Sequence, residues 1–102
     1  MSDISVDALE ELYSLPAYDE RYSLIMFDDS NVSGIHVITV FITVFNYAEE
    51  TIVEKIIEIE TQGSAVVYTG SFEDCEKYRN AIHTVMAAIS SEHLTVTVEK
   101  TP

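Results

Sequence analysis

The segment IHVITVFITVF, residues 35–45, decides the fold, because its composition and its spacing point to different structures. Ile35, Val37, Ile38, Val40, Phe41, Ile42, Val44 and Phe45 are β-branched or aromatic, the residue types that fit a pleated strand. Yet Val37, Val40, Phe41, Val44 and Phe45 recur at i, i+3, i+4, i+7 and i+8, the spacing of one helical face, and Ser33 stands where an N-cap would. Propensity supports a strand and periodicity supports a buried helix, and the segment by itself does not choose.

Its neighbours are plainer. Upstream, Tyr22 to Phe27 is a short run of strand formers, stopped by Asp28-Asp29-Ser30-Asn31, whose side chains favour turns. Downstream, Glu49 to Gln62 has acids in its first turn, apolar Ile52, Val53, Ile56, Ile57 and Ile59, and Gly63 at its end, which predicts a helix with a glycine stop. Ala65 to Thr69 predicts a strand closed by Gly70. Ser71 with Asp74 three residues later resembles a capping box, opening a helix to about Ser90 with Phe72, Cys75, Tyr78, Ile82, Val85, Met86 and Ile89 as its buried stripe. The alternation of Leu94 to Glu99 predicts a last strand with one wet face. With residues 35–45 helical, the order is β-α-α-β-α-β, an α+β domain with helices covering one side of a small sheet.

The chain has 102 residues, of which 47% are hydrophobic, 10% aromatic and 23% charged, enough apolar area for one compact domain and too much for general disorder. Residues 1–20 stand apart. They carry Asp3, Asp7, Glu10, Glu11, Asp19 and Glu20 with no Lys or Arg, and are expected to form an acidic arm preceding a domain over 21–102. Ile4, Leu9, Leu12, Tyr13 and Leu15 give part of this arm a helical spacing, ended before Pro16.

Five Lys and Arg against 18 Asp and Glu leave a formal net charge of −13. Such an excess repels nucleic acid and anionic membrane and steers the protein toward basic or amine-bearing partners, besides keeping it soluble. The lone Cys75 excludes an intramolecular disulfide and any multi-cysteine metal site. No basic and apolar leader opens the sequence, and no apolar run approaches the roughly 18–20 residues of a membrane span, so a cytoplasmic protein is expected.

No catalytic constellation stands out. His36, His83 and His93 are far apart in sequence, Cys75 sits on an apolar stripe, the serines lack a nucleophile elbow, and Gly34, Gly63 and Gly70 do not form a phosphate loop. No enzyme, cofactor or resident metal is expected. The acids carry more information: Asp28 and Asp29 end an apolar strand, and Glu60 follows Ile56 by one helical turn. If they converge, they form a site for an ammonium group, a guanidinium or a hard divalent metal. The plainer reading leaves all three as solvated surface acids.

The order of elements and the loop after the first strand resemble the ClpS family, adaptors of AAA+ Clp proteases that recognise N-terminal degradation signals. Tyr22, Ile25, Asp29, Val37, Tyr47, Gly63, Ala65, Thr69, Leu94, Glu99 and Lys100 match the family pattern collinearly between about Tyr22 and Lys100. The resemblance implies a three-stranded antiparallel sheet packed against three helices, with residues 35–45 helical. It also implies a substrate pocket in which Asp28, Asp29 and Glu60 hold the α-amino group of a substrate and Val37, Ile56, Ile59 and Leu94 line an apolar wall. Here Asp28 stands for the family's Asn, Glu60 for its His, Val32 for a Thr that shapes the loop, and Gly34 for a Met that excludes β-branched first residues. Partner docking is implied at Thr69, Ser71 and Glu76, the last two replacing a Glu and a Lys.

The partners implied are N-terminal segments of substrate proteins and the N-terminal domain of a Clp unfoldase, without nucleic acid or membrane. A diverged module that occupies this machinery as an inhibitor or decoy is the alternative, and a small metal-binding protein a third.

Overall fold

A computed structural model of the chain describes residues 21–101, so the acidic arm and its candidate helix lie outside the described residues. The elements are β1 (Tyr22–Phe27), α1 (Gly34–Val40) running into a π-helical turn (Phe41–Phe45), α2 (Glu49–Gln62), β2 (Ser64–Gly70), α3 (Phe72–Ile89) and β3 (Val96–Lys100). The strands form an antiparallel sheet in the order β2-β1-β3. This is the α+β arrangement and the β-α-α-β-α-β order expected.

Residues 35–45 are helical, so burial overrides strand propensity. A β-branched or aromatic residue loses at most ~0.7 kcal/mol of intrinsic preference in a helix, whereas fully burying a Val or Phe side chain stabilises by roughly 1.5–3 kcal/mol. Val40 and Phe41 are wholly buried, with Val37, Ile38, Val44 and Phe45 packed against the core, while Ile35 and Ile42 remain exposed. Thr39 fits the helix by donating its hydroxyl to the Ile35 carbonyl at 2.8 Å. Ser33 occupies the N-cap position, but its hydroxyl does not cap the helix. The π turn ends at Asn46, in the left-handed conformation that Asn tolerates. Beyond it Tyr47 stacks on Phe45, ring centroids 5.0 Å apart, and Phe45 reaches Tyr78 at 5.1 Å.

β1 is the central strand. Leu24 and Met26 are fully buried, in one core with Val40, Phe41, Ile52, Ile59, Val67, Ile82 and Met86. Along β1 and β2 the register runs Leu24 to Tyr68 and then Ile25 to Val66, so Val67 is left over as a bulge. Its carbonyl accepts the Tyr47 hydroxyl at 2.6 Å. Burial, with Tyr78 and Tyr68 nearby, pushes the Tyr47 phenol up from its ordinary value.

The helix ends follow local chemistry. Ala48 offers α2 no side-chain cap, and Glu49 and Glu50 in the first turn provide negative charge instead. Gly63 stops α2 at φ 87°, donating to the Ile59 carbonyl at 2.9 Å while its own carbonyl accepts the Asp28 N–H at 2.9 Å. The Ser71 hydroxyl caps α3 by accepting from Asp74 N–H at 3.1 Å.

Three expectations shift in detail. Phe72 and Ile89 fall at the ends of the α3 stripe and are exposed, although the Phe72 ring meets Tyr22 edge-on at 5.2 Å. Val53 and Ile57 lie on the open side of α2. The last strand starts at Val96, leaving buried Leu94 in the preceding link.

Two stability effects follow. Tyr47→Phe strands the Val67 carbonyl and should cost about 1–3 kcal/mol in urea unfolding. Gly63→Ala meets no atom within 4 Å of the new Cβ, yet should cost about 1–2 kcal/mol through its left-handed backbone. In that variant hydrogen exchange should quicken at Asp28, whose amide Gly63 holds.

Candidate functional site

The end of β1 and the glycine stop of α2 meet, and this meeting builds the site. The Asp28 N–H bonds Gly63, and Phe27 N–H donates to the Thr95 carbonyl at 3.1 Å, so the strand is held on both sides as it leaves the sheet. The chain then turns sharply. Asp29 Oδ1 accepts the Asn31 N–H at 2.8 Å, and the Asp29 carbonyl accepts the Val32 N–H at 3.0 Å. This side-chain-closed turn carries the chain into α1.

A cavity of about 350 Å³ opens between this turn, the start of α1, the C-terminal half of α2 and the link before β3. All nine residues singled out for substrate binding line it: Asp28, Asp29, Val32, Gly34, Val37, Ile56, Ile59, Glu60 and Leu94. The structure adds Met26, Phe27 and Ser30. Met26 and Phe27 are the last two residues of the strand that delivers Asp28, so adjacency was the available signal, and the alternation of β1 masked it by making Met26 a core residue.

Asp28 and Glu60 are exposed and Asp29 is half-buried, whereas Met26, Ile59 and Leu94 are buried. The cavity thus has an apolar interior and an acidic mouth, and no Lys or Arg lines it. It suits a ligand with an apolar body and a cationic head, since uncompensated carboxylates favour positive charge. A Cβ built at Gly34 would meet nothing within 4 Å, so the mouth is open there. Among the described residues no group of three or more His, Cys, Asp or Glu is placed to hold a metal ion, so the acids are not arranged as a metal cage.

The docking candidates lie elsewhere, at the junction of β2 and α3. Thr69 is exposed on β2 opposite Ser23, Ser71 spends its hydroxyl on capping α3, and Glu76 sits 3.6 Å from Arg79 one turn on. Cys75 is wholly buried, its thiol pushed up chiefly by that burial, and is a core residue.

The histidines, remote in sequence, gather around residues 90–94. His36 Nδ1 lies 2.6 Å from Glu92 Oε1, and the rings of His83 and His93 stack with centroids 5.8 Å apart. Sequence reading missed Glu92, because no periodicity links a loop residue to partners more than fifty positions away.

The family model described as ATP-dependent Clp protease adaptor protein ClpS matches residues 17–97. Among solved structures, that of Agrobacterium tumefaciens ClpS2 bound to L-phenylalaninamide matches with a TM-score of 0.74 and 20% identity, over 81% of this chain and 99% of that one. The likeness is one of fold. No curated protein matches. Among the described residues no helix is long and apolar enough to cross a membrane. Members of the matched family are adaptors and not enzymes, in keeping with the lack of a catalytic constellation in the sequence. With the family model spanning every element from β1 into β3, the chain belongs to the ClpS family of ATP-dependent Clp protease adaptors.

Proposed function

We propose that the cavity receives the first residue of a protein substrate, so that this adaptor reads amino termini and presents their bearers to a Clp unfoldase. The observation that carries this reading is the acidic mouth over an apolar interior. A free amino terminus brings an ammonium group and a side chain on the same carbon, and the two together need such a pairing. Asp28, Asp29 and Glu60 attract and accept from the ammonium group, while Val32, Val37, Ile56, Ile59 and Leu94 enclose the side chain. The cavity volume lies within the ~300–1,000 Å³ usual for small-ligand pockets. L-phenylalaninamide, named with the ClpS2 of like fold, joins an amino group to an apolar side chain in the same way.

Gly34 leaves room at the mouth, which supports entry of branched as well as linear first side chains. The β2–α3 junction at Thr69, Ser71 and Glu76 is the surface proposed for the N-terminal domain of the unfoldase. An open, apolar cavity supports cargo binding over a module that merely blocks the machinery.

Fluorescence anisotropy with peptides that begin with Leu, Phe, Ile, Val or Lys, each free and acetylated, tests the proposal. Free apolar termini should bind and their acetylated forms should not, and equal behaviour of the two forms would overturn it. Asp29→Asn keeps an oxygen for the Asn31 N–H but removes the charge. It should weaken binding by about 10- to 100-fold, the equivalent of a lost charged hydrogen bond, with thermal stability unchanged.

A further inference from the structure

Glu92 touches no part of the acidic mouth, yet it joins two walls of the cavity. It lies in the link between α3 and β3, two residues before Leu94. Its Oε1 accepts the Ser33 N–H at 3.0 Å and faces His36 Nδ1 at 2.6 Å, and its Oε2 accepts the Ser33 hydroxyl at 2.9 Å. Its own N–H donates to Ser90 Oγ at 2.8 Å, and the Ser90 N–H bonds the Met86 carbonyl at the end of α3 at 2.9 Å. The carboxylate is therefore anchored to the longest helix on one side and grips the start of α1 on the other.

What it grips matters for the cavity. Ser33 and His36 are interleaved with Val32, Gly34 and Val37, all of which line the cavity, and Leu94 lines it from the Glu92 side. The helix α1 is held to the core by packing of Val37, Ile38, Val40 and Phe41, and the Glu92 carboxylate adds a hydrogen-bonded tie between its first turn and the link that carries Leu94. The Ser33 hydroxyl is drawn away from capping α1 to serve it. An ionised carboxylate can only accept, so the Glu92 contact selects the His36 ring form with its hydrogen on Nδ1.

We infer that Glu92 is a positioning residue, a brace that sets the width of the cavity mouth and with it the range of first side chains admitted. The inference rests on the amino-terminus reading for its ligand, though the brace itself does not. The hydrogen bonds from His36 and then Ser33 hold the Glu92 carboxyl down to about 2. Its folded value is thus below its unfolded one, so the stabilisation is complete above the ordinary carboxylate range and is lost as pH falls toward 2. Among the described residues the titratable groups facing it are His36 on α1, which bonds it, and His83 on α3 and the adjacent His93, which line the same surface hollow.

Hydrogen exchange on the full chain tests the brace without any ligand. Glu92→Ala should raise exchange across residues 32–37 while leaving α2 unchanged, Glu92→Gln should restore part of the protection, and Ser33→Ala should add nothing once Glu92 is Ala. Unchanged exchange at 32–37 would overturn the inference whatever the peptides do. In the anisotropy assay Glu92→Ala should lower affinity for Leu-initiated peptides by about fivefold or more and narrow the difference between Leu and Val termini. Uniform weakening with the Leu-to-Val ratio preserved would reduce Glu92 to general stability. Should the wild-type chain bind no peptide, the amino-terminus reading fails, and exchange alone then decides the brace. The acid arm of the Tm against pH curve should be shallower below pH 4.5 in Glu92→Gln than in the wild type.

Discussion

One backbone hydrogen bond organises this domain: the Asp28 N–H to the Gly63 carbonyl. It ties the exit of the central strand to the exit of α2, and both exits carry the acids of the site. Because Gly63 adopts a left-handed conformation, α2 stops there and β2 begins at the next residue, pairing Ser64 with Phe27. Glu60, three residues back on the helix, is thereby brought to the same cavity as Asp28 and Asp29. A longer or looser connection would leave these carboxylates as unrelated surface charges.

The charge of the whole molecule and the charge of the site act over different ranges. At physiological salt, screening confines a charge to about 8 Å, so most of the net charge of −13 biases encounter with other molecules without reaching into the cavity. Only the carboxylates of Asp28, Asp29 and Glu60 set the field inside the cavity at contact range. None of the cations Arg21, Lys55, Lys77, Arg79 and Lys100 belongs to that lining, so the local field keeps one sign.

Much of this was legible in the sequence where one physical signal dominated. The acid-led, glycine-ended pattern of 49–62 and the serine cap before 72 became helices at those boundaries, because capping and periodicity agree there. Residues 35–45 were legible only through the family resemblance, since local preference and burial pull against each other and the packing that decides is long-range. The three acids and the apolar wall were likewise brought to one cavity by the resemblance. From the residues alone, solvated surface acids remained the plainer description. The Glu92 grip and the gathering of histidines left no trace, being contacts between loops and helix starts with no period. The strand boundary at Val96 was missed because alternation continues into Leu94, which is buried without being paired.

The bulge at Val67 bears on how the molecule meets other chains. Among the described residues β2 and β3 are the two edges of the sheet, and unpaired edge groups are templates on which an extended polypeptide can add itself. The bulge twists β2 locally, and Tyr47 occupies the Val67 carbonyl. β3 is five residues long and ends in Glu99 and Lys100. Both edges are thus poorly suited to growing another strand. For a member of a protease adaptor family, the consequence is a sheet that resists being extended by a passing polypeptide strand.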